Sequence, residues 1–148
     1  MEAITCSIKE TEAYAADLMK QACKKEDLRT HALVVGLSGE LGAGKTAFVK
    51  AAAHALGVED TVTSPTFVIE KIYKLKNTPF AHLIHIDAYR LESADELRAL
   101  GWDDITRDSG NIVFLEWPER VKEVLPDNMV RINLEVVGEK ERKITVSH

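Results

Sequence analysis

Residues 31–56, HALVVGLSGELGAGKTAFVKAAAHAL, carry the pattern that decides the fold. Residues 31–37 are a continuous apolar run, which is typical of a central strand covered on both faces. Residues 46–56 are rich in alanine and predict a helix that stops at Gly57. The segment between them is rich in glycine. The stretch therefore predicts a strand, a tight loop and a helix in succession.

The loop itself, from Gly39 to Thr46, matches the phosphate-binding pattern G-x-x-x-x-G-K-[ST] in full. Its glycines permit backbone angles and a close approach of the main chain that a Cβ atom would block. The N–H groups of the loop and of the helix N-terminus then point at an anion. Lys45 would place a charge on the outer phosphates, and Thr46 would offer its hydroxyl to Mg²⁺. The alternative is a chance match, which the preceding strand and the following helix argue against.

The rest of the chain predicts further strands and two more helices. The predicted strands are residues 66–73, 81–87, 111–116 and the pair 130–137 and 142–148, which flank Gly138 like a hairpin. The predicted helices are an amphipathic one over residues 11–24 and a short one opened by a capping box at residues 93–96. We therefore predict an α/β fold, a mainly parallel sheet flanked by helices with an antiparallel C-terminal hairpin.

Length and composition predict a single globular domain over residues 1–148. The chain is 45% hydrophobic and 29% charged, and no apolar run is long enough to predict a membrane span. The first residues lack the pattern of a signal peptide, and the two cysteines form neither a CxxC pair nor a disulfide framework, so we expect a cytoplasmic protein. The formal net charge of −5 argues against direct tRNA or other nucleic-acid binding.

Two predicted strands end in a carboxylate, Asp87 and Glu116. The carboxyl ends of parallel strands face the ligand crevice, so both acids are candidates to lie near a metal. The alternative is that either one only caps the turn after its strand. His82 and His85 are three residues apart on a strand, so their side chains should point to opposite faces and cannot chelate one ion together. His85 shares a face with Asp87, which would place it near the site, but we interpret it as a packed or hydrogen-bonded core histidine.

The polar segment TVTSPTF, residues 61–67, follows the helix after the phosphate loop. Segments that sense a γ-phosphate occupy this position in other phosphate-loop proteins. An ordinary connecting turn is the alternative.

Four segments, GELGAGKT, SPTF, HIDAYRL and LEWPER, resemble the TsaE family, formerly YjeE, in order and spacing. The resemblance extends from Glu10 to the final hairpin. This family is a bacterial ATPase that supports synthesis of the threonylcarbamoyl modification on the adenosine next to the tRNA anticodon. The resemblance implies a phosphate-loop NTPase-like fold, ATP and Mg²⁺ as cofactors, and TsaD and TsaB as partner proteins that handle the tRNA.

The resemblance also implies roles for individual residues. Thr46 and Glu116 would bind Mg²⁺, and Lys45, Asp87 and Glu116 would be catalytic. Thr11 would lie near the nucleotide. The residues that would wrap the ATP phosphates are Glu40, Leu41, Gly42, Ala43, Gly44, Lys45 and Thr46. The switch residues would be Ser64, Pro65 and Thr66 in a first segment and Trp117 in a second.

Three other functions can be compared with this one. A small-molecule kinase of the phosphate-loop class is the main enzymatic alternative, but the sequence shows no basic lid of the kind such kinases carry. A GTPase is disfavoured because no [NT]-K-x-D string is present. A nucleotide-gated binding module that hardly turns over alone is the non-enzymatic alternative.

Overall fold

The structure is a computed structural model that describes residues 1–24, 29–59 and 69–148. Within these residues the strands are β1 (Glu2–Thr5), β2 (Leu33–Ser38), β3 (Glu70–Lys74), β4 (His82–Asp87), β5 (Asn111–Glu116), β6 (Val130–Val136) and β7 (Arg142–Ser147). The helices are α1 (Ile8–Lys24), α2 (Lys45–Ala55), α3 (Ala94–Ala99) and α4 (Trp102–Arg107), and Pro118–Val124 forms a 3₁₀ segment kinked at Val121. No described helix has the length and apolar content needed to cross a membrane.

All of these strands join one sheet in the order β1-β7-β6-β2-β5-β4-β3. The central strands β6, β2, β5 and β4 are parallel to one another, whereas β7 and β3 pair antiparallel with β6 and β4, and β1 pairs antiparallel with β7. The predicted mainly parallel α/β fold with a C-terminal hairpin is therefore confirmed. The hairpin β6–β7 extends the main sheet, because β6 pairs in parallel with β2.

Helices cover both faces of the sheet. On one face α1 and α2 contribute Met19 and Phe48 to a core that includes Phe114 of β5. On the other face α3 and α4 contribute Leu97 and Trp102 to a second core. Every residue of β5 is buried, as expected of a central strand with helices on both sides.

Helix α1 begins three residues earlier than the sequence predicted. Its N-terminus is capped: the Ser7 hydroxyl accepts the Glu10 N–H at 3.2 Å, and the Glu10 carboxylate accepts the N–H of Cys6, the residue before the cap, at 2.6 Å. The capping box that was predicted at residues 93–96 is wrong in detail. Ser93 does precede α3, but its side chain makes no capping hydrogen bond, and Glu96 accepts the N–H of Glu92 instead.

Candidate active site

The phosphate loop lies between the end of β2 at Ser38 and the start of α2 at Lys45. Its main chain turns through three glycines with positive φ angles, 149° at Gly39, 81° at Gly42 and 102° at Gly44. L-residues rarely adopt such angles, so glycine lets the chain turn back onto the helix N-terminus. The first amides of a helix have no partner within it, and they therefore form a potential anion site at this end of α2.

Replacing Gly39 with alanine should distort the loop. A Cβ atom on Gly39 would lie 2.5 Å from the Leu134 carbonyl oxygen and 3.2 Å from the Ala43 Cβ, whereas a Cβ on Gly42 would meet nothing within 4 Å. Both substitutions carry the strain of a positive φ, but only the first adds a backbone clash. We expect Gly39→Ala to cost about 1–3 kcal/mol, or about 2–4 °C in Tm per kcal/mol. Thermal unfolding of both variants checks this, and equal losses would contradict the clash.

Arg142, at the start of β7, hydrogen-bonds the phosphate loop from the β6–β7 hairpin. Its Nε donates to the Ala43 carbonyl at 3.2 Å, and its Nη1 donates to the carbonyls of Gly138 and Glu141 at 3.4 and 3.0 Å. One planar guanidinium thus joins the phosphate loop to the turn between β6 and β7.

Lys45 is almost fully buried inside the loop, with 5% of its surface exposed. Its Nζ donates to the carbonyls of Gly39 and Glu40 at 2.5 and 2.9 Å, and it lies 4.4 Å from the centre of the Trp117 ring. The ammonium group therefore lies where the loop curves around it, and neutral partners contact it directly.

Burial lowers the pKa of Lys45, because a desolvated ammonium is less stable than a hydrated one. The carboxylates of Glu116, Glu119 and Asp87 act in the opposite direction and favour the charged form. Glu119 also accepts a hydrogen bond from the Ser38 hydroxyl at 3.2 Å. The charges near Lys45 are thus acidic groups arriving from three other elements.

Glu116 contacts the hydroxyl of Thr46 directly. The Thr46 Oγ1 donates to Oε1 and Oε2 of Glu116 at 3.2 and 3.3 Å. Glu116 ends β5 and Asp87 ends the adjacent parallel strand β4, where the two residues are register partners. The predicted meeting of both strand-end carboxylates at one edge of the sheet is therefore observed, and Glu116 is the one that contacts Thr46.

Asp87 is half-buried, and its Oδ1 accepts the N–H of Tyr89 at 3.0 Å. This bond makes Asp87 a turn cap, and the residue also lines the first cleft beside the loop. Burial raises the pKa of Asp87, and the neighbouring Glu116 charge adds to the increase. The Tyr89 N–H and the side chains of His85 and Lys45 oppose it.

Trp117 follows Glu116 and has a left-handed backbone, with φ 60° and ψ 51°. Such angles are uncommon outside glycine, and residues that adopt them cluster at functional sites. The Trp117 N–H donates to the Leu37 carbonyl at 3.1 Å. The centroids of the Trp117 and Tyr89 rings are 5.0 Å apart, and the ring planes are tilted by 47°. This backbone turns the indole over Lys45, beside the phosphate loop.

Two cavities adjoin the loop. The first, of about 320 Å³, is lined by Leu41, Gly42, Gly44, Lys45, Thr46, Ala47, Asp87, Tyr89, Arg90, Glu116 and Trp117. The second, of about 520 Å³, is lined by Ser7, Ile8, Lys9, Thr11, Gly42, Ala43, Gly44, Ala47, Glu139, Lys140 and Arg142. Because both share residues 42, 44 and 47, the loop separates a cleft that holds the acids from a cavity large enough for a further part of a nucleotide.

The predicted site residues divide between these places. Lys45, Thr46, Asp87, Glu116 and Trp117 line the first cleft. Thr11 lies in the second cavity and is buried, with its hydroxyl 2.7 Å from that of Thr5. Glu40 contributes its carbonyl to Lys45 and lines neither cavity. The predicted switch residues 64–66 lie outside the described residues.

The oxygen groups in the first cleft fit Mg²⁺. A hydroxyl and one or two carboxylates are the protein ligands that Mg²⁺ usually takes, with phosphates and water completing its octahedron. Among the residues that the structure describes, no group of three or more His, Cys, Asp or Glu side chains could enclose a metal ion. The donor set therefore suits an ion held jointly by the protein and a nucleotide.

Residues 5–144 match the family model described as "Threonylcarbamoyl adenosine biosynthesis protein TsaE". The chain belongs to the TsaE family. The TsaE of Treponema pallidum is 40% identical over 114 residues, which cover 77% of this chain and 81% of that protein. The TsaE of Rickettsia prowazekii is 35% identical over 141 residues, which cover 95% and 90%. The predicted family is therefore confirmed.

A solved structure is also similar. The crystal structure of YdiB from Bacillus subtilis aligns with a TM-score of 0.74 and 30% identity, and the alignment covers 99% of this chain and 83% of that one. The fold is thus shared along nearly the whole length. Family membership and the loop together make the chain a phosphate-loop nucleotide-binding protein.

The sequence did not identify the bonding partners of two side chains at this TsaE-family site, although the interpretation of His85 as a packed or hydrogen-bonded core histidine is confirmed. His85 lies against Glu116, with Nε2 2.6 Å from Oε2. Its position two residues before Asp87, on the same strand face, indicated that it lies near the strand-end acids but did not single out Glu116 as its partner. Arg142 has no comparable signal, because the Ala43 carbonyl that it contacts is 99 residues away in the chain.

Proposed function

We propose that the chain is a single-domain, Mg²⁺-dependent ATPase of the cytoplasm, comprising residues 1–148. The TsaE family is named for threonylcarbamoyladenosine biosynthesis, so the role of the chain lies in this tRNA modification. The proposed partners are TsaD and TsaB, with ATP hydrolysis resetting their complex between turnovers.

The contact between Thr46 and Glu116 is the observation that carries the ATPase assignment. It joins the last residue of the phosphate-binding pattern to an acid from the neighbouring strand β5, at 3.2–3.3 Å. Phosphate-loop NTPases hold Mg²⁺ with a hydroxyl at this position of the loop and an acid from an adjacent strand. A loop that only bound phosphate would not need an acid at this point.

Each residue of the site would then have a distinct role in binding the nucleotide and the metal. Loop amides from 40 to 46 would hold the phosphates, and the Lys45 ammonium would exchange its two carbonyl partners for phosphate oxygens. Thr46 and Glu116 would hold Mg²⁺, with Asp87 close by. Mg²⁺, when bound, would neutralise charge on the β- and γ-phosphate oxygens. Ser64, Pro65 and Thr66 would respond to the γ-phosphate as one switch and Trp117 as another, while Thr11 would lie near the nucleoside.

Purified protein with γ-labelled ATP tests the reaction. We expect slow release of labelled phosphate that requires Mg²⁺ and rises when TsaD and TsaB are added. An arginine supplied in trans raises kcat by about 10³–10⁵-fold in other phosphate-loop enzymes, which bounds the possible gain. Unchanged hydrolysis in the presence of bound partners would contradict the partner role.

The same assay distinguishes the ATPase from a small-molecule kinase. Candidate hydroxyl acceptors are included, and the label is followed into phosphate and into acceptor. Label in an acceptor would replace the ATPase assignment with that of a kinase. The acidic net charge of −5 predicts that tRNA alone neither binds nor stimulates the chain.

A further inference from the structure

His85 is a buried histidine that hydrogen-bonds Glu116 of the candidate active site. It is 0% exposed and lies on β4, where its register partners are Lys71 of β3 and Phe114 of β5. Its Nε2 lies 2.6 Å from Oε2 of Glu116, across the two parallel strands. Burying an imidazole costs free energy unless its polar atoms are bonded, so this contact is the gain that offsets the burial.

The direction of the bond follows from the partners. An ionised carboxylate can only accept, so the His85 Nε2–H donates to Glu116. The other ring nitrogen, Nδ1, is buried and has no hydrogen-bond partner among the described residues. A leucine or methionine would fill the same space without leaving a polar atom unbonded. The imidazole at this place is therefore explained by what it does to Glu116.

The two oxygens of Glu116 are held unequally. Oε2 accepts from both His85, at 2.6 Å, and Thr46, at 3.3 Å, whereas Oε1 accepts, among the residues that the structure describes, only from Thr46, at 3.2 Å. A charge-assisted bond of the shorter length is the stronger one. His85 thus fixes one oxygen from within the sheet and leaves the other for the cleft.

We propose that His85 is the positioning residue of the metal site: it orients the Glu116 carboxylate so that Oε1 is presented to Mg²⁺. This inference rests on the proposed function, because it concerns how the ATPase prepares its metal ligand. Residues that hydrogen-bond a metal ligand typically change metal affinity by about 10–100-fold when mutated.

Binding of a non-hydrolysable ATP analogue, measured by calorimetry in EDTA and in saturating Mg²⁺, tests the proposal. The Kd in EDTA divided by the Kd in Mg²⁺ measures the coupling between the binding of metal and the binding of nucleotide. We expect His85→Met to lower this ratio by about 10-fold and to leave the Kd in EDTA unchanged. His85→Gln has nearly the same length and keeps an N–H donor, so it should retain most of the wild-type ratio.

Two controls separate positioning from a structural role. His82→Met, on the same strand but the opposite face, should behave like wild type. In a Glu116→Gln background, His85→Met should have no further effect on the ratio, because the residue acts through the Glu116 charge. Thermal unfolding identifies any variant that does not fold, and His85→Asn, whose amide is too short to reach Glu116, then takes the place of His85→Met.

The outcomes are distinct. An unchanged ratio in folded His85→Met, with a clear Mg²⁺ effect in wild type, would overturn the positioning role and leave the proposed function intact. A persisting effect in the Glu116→Gln background would also overturn it. No Mg²⁺ effect in wild-type protein would overturn both this inference and the metal site of the proposed function.

Discussion

Lys45→Ala should lose most of its ATPase activity, with kcat/KM reduced by ~10²-fold or more, the usual cost of removing a preorganised contact to developing charge. Lys45 lies in the curve of the phosphate loop, held by the Gly39 and Glu40 carbonyls at 2.5 and 2.9 Å. These are weak competitors for an ammonium group compared with charged phosphate oxygens. We therefore expect weaker binding of an ATP analogue as well as slower hydrolysis, measured by calorimetry and by phosphate release.

Lys50→Ala is the matched control for this prediction. Lys50 lies on the same helix α2 but is exposed and lines neither cavity beside the loop. The Lys50→Ala substitution removes the same charge from the chain, so a general electrostatic effect would appear in both variants. Equal analogue affinity in Lys45→Ala and Lys50→Ala, with both proteins folded, would contradict the role of Lys45.

Glu116→Gln should reduce kcat by a similar ~10²-fold, since it removes the charge that Mg²⁺ needs at this point. Glutamine keeps the shape of the side chain and an oxygen that can accept from Thr46 and His85. The Kd of an ATP analogue in EDTA should therefore change little, and the loss should appear in the Mg²⁺-dependent step. Steady-state kinetics over a range of Mg²⁺ concentrations measures it.

Asp87→Asn is the comparison that assigns the metal role. Asp87 ends the neighbouring strand and lines the same cleft, but its Oδ1 accepts the Tyr89 N–H rather than contacting Thr46. Asparagine can keep that bond while removing the charge. Near-wild-type hydrolysis by Glu116→Gln, together with loss of activity in Asp87→Asn, would transfer the metal role to Asp87.

Much of this site could be predicted from local sequence, because its main parts are built by short segments. The glycines of the loop, the apolar strand before it and the helix after it lie within 26 consecutive residues, 31–56. Asp87 and Glu116 could be placed together because parallel strands end at one edge of a sheet. For the loop the pattern and the structure depend on the same neighbouring residues, whereas for the two acids a general rule about parallel sheets replaces the missing local information.

The parts that were not predicted depend on contacts between distant segments. The short edge strand β1 exists through its pairing with β7, at the other end of the chain. The left-handed turn at Trp117 accompanies the N–H that this residue donates to the carbonyl of Leu37, on a strand far earlier in the chain. The contact of Arg142 with Ala43 depends in the same way on the assembled sheet. A periodic pattern carries no information about such pairings.

The structure of the protein with Mg²⁺ and a non-hydrolysable ATP analogue tests the central claim most directly. We predict that loop amides from 40 to 46 hydrogen-bond the phosphates and that Lys45 Nζ has left the Gly39 and Glu40 carbonyls for phosphate oxygens. Mg²⁺ should lie ~2.1 Å from the Thr46 hydroxyl, with a Glu116 oxygen as its carboxylate ligand. A nucleotide bound away from the loop, or a metal that neither Glu116 nor Asp87 approaches, would contradict the assignment.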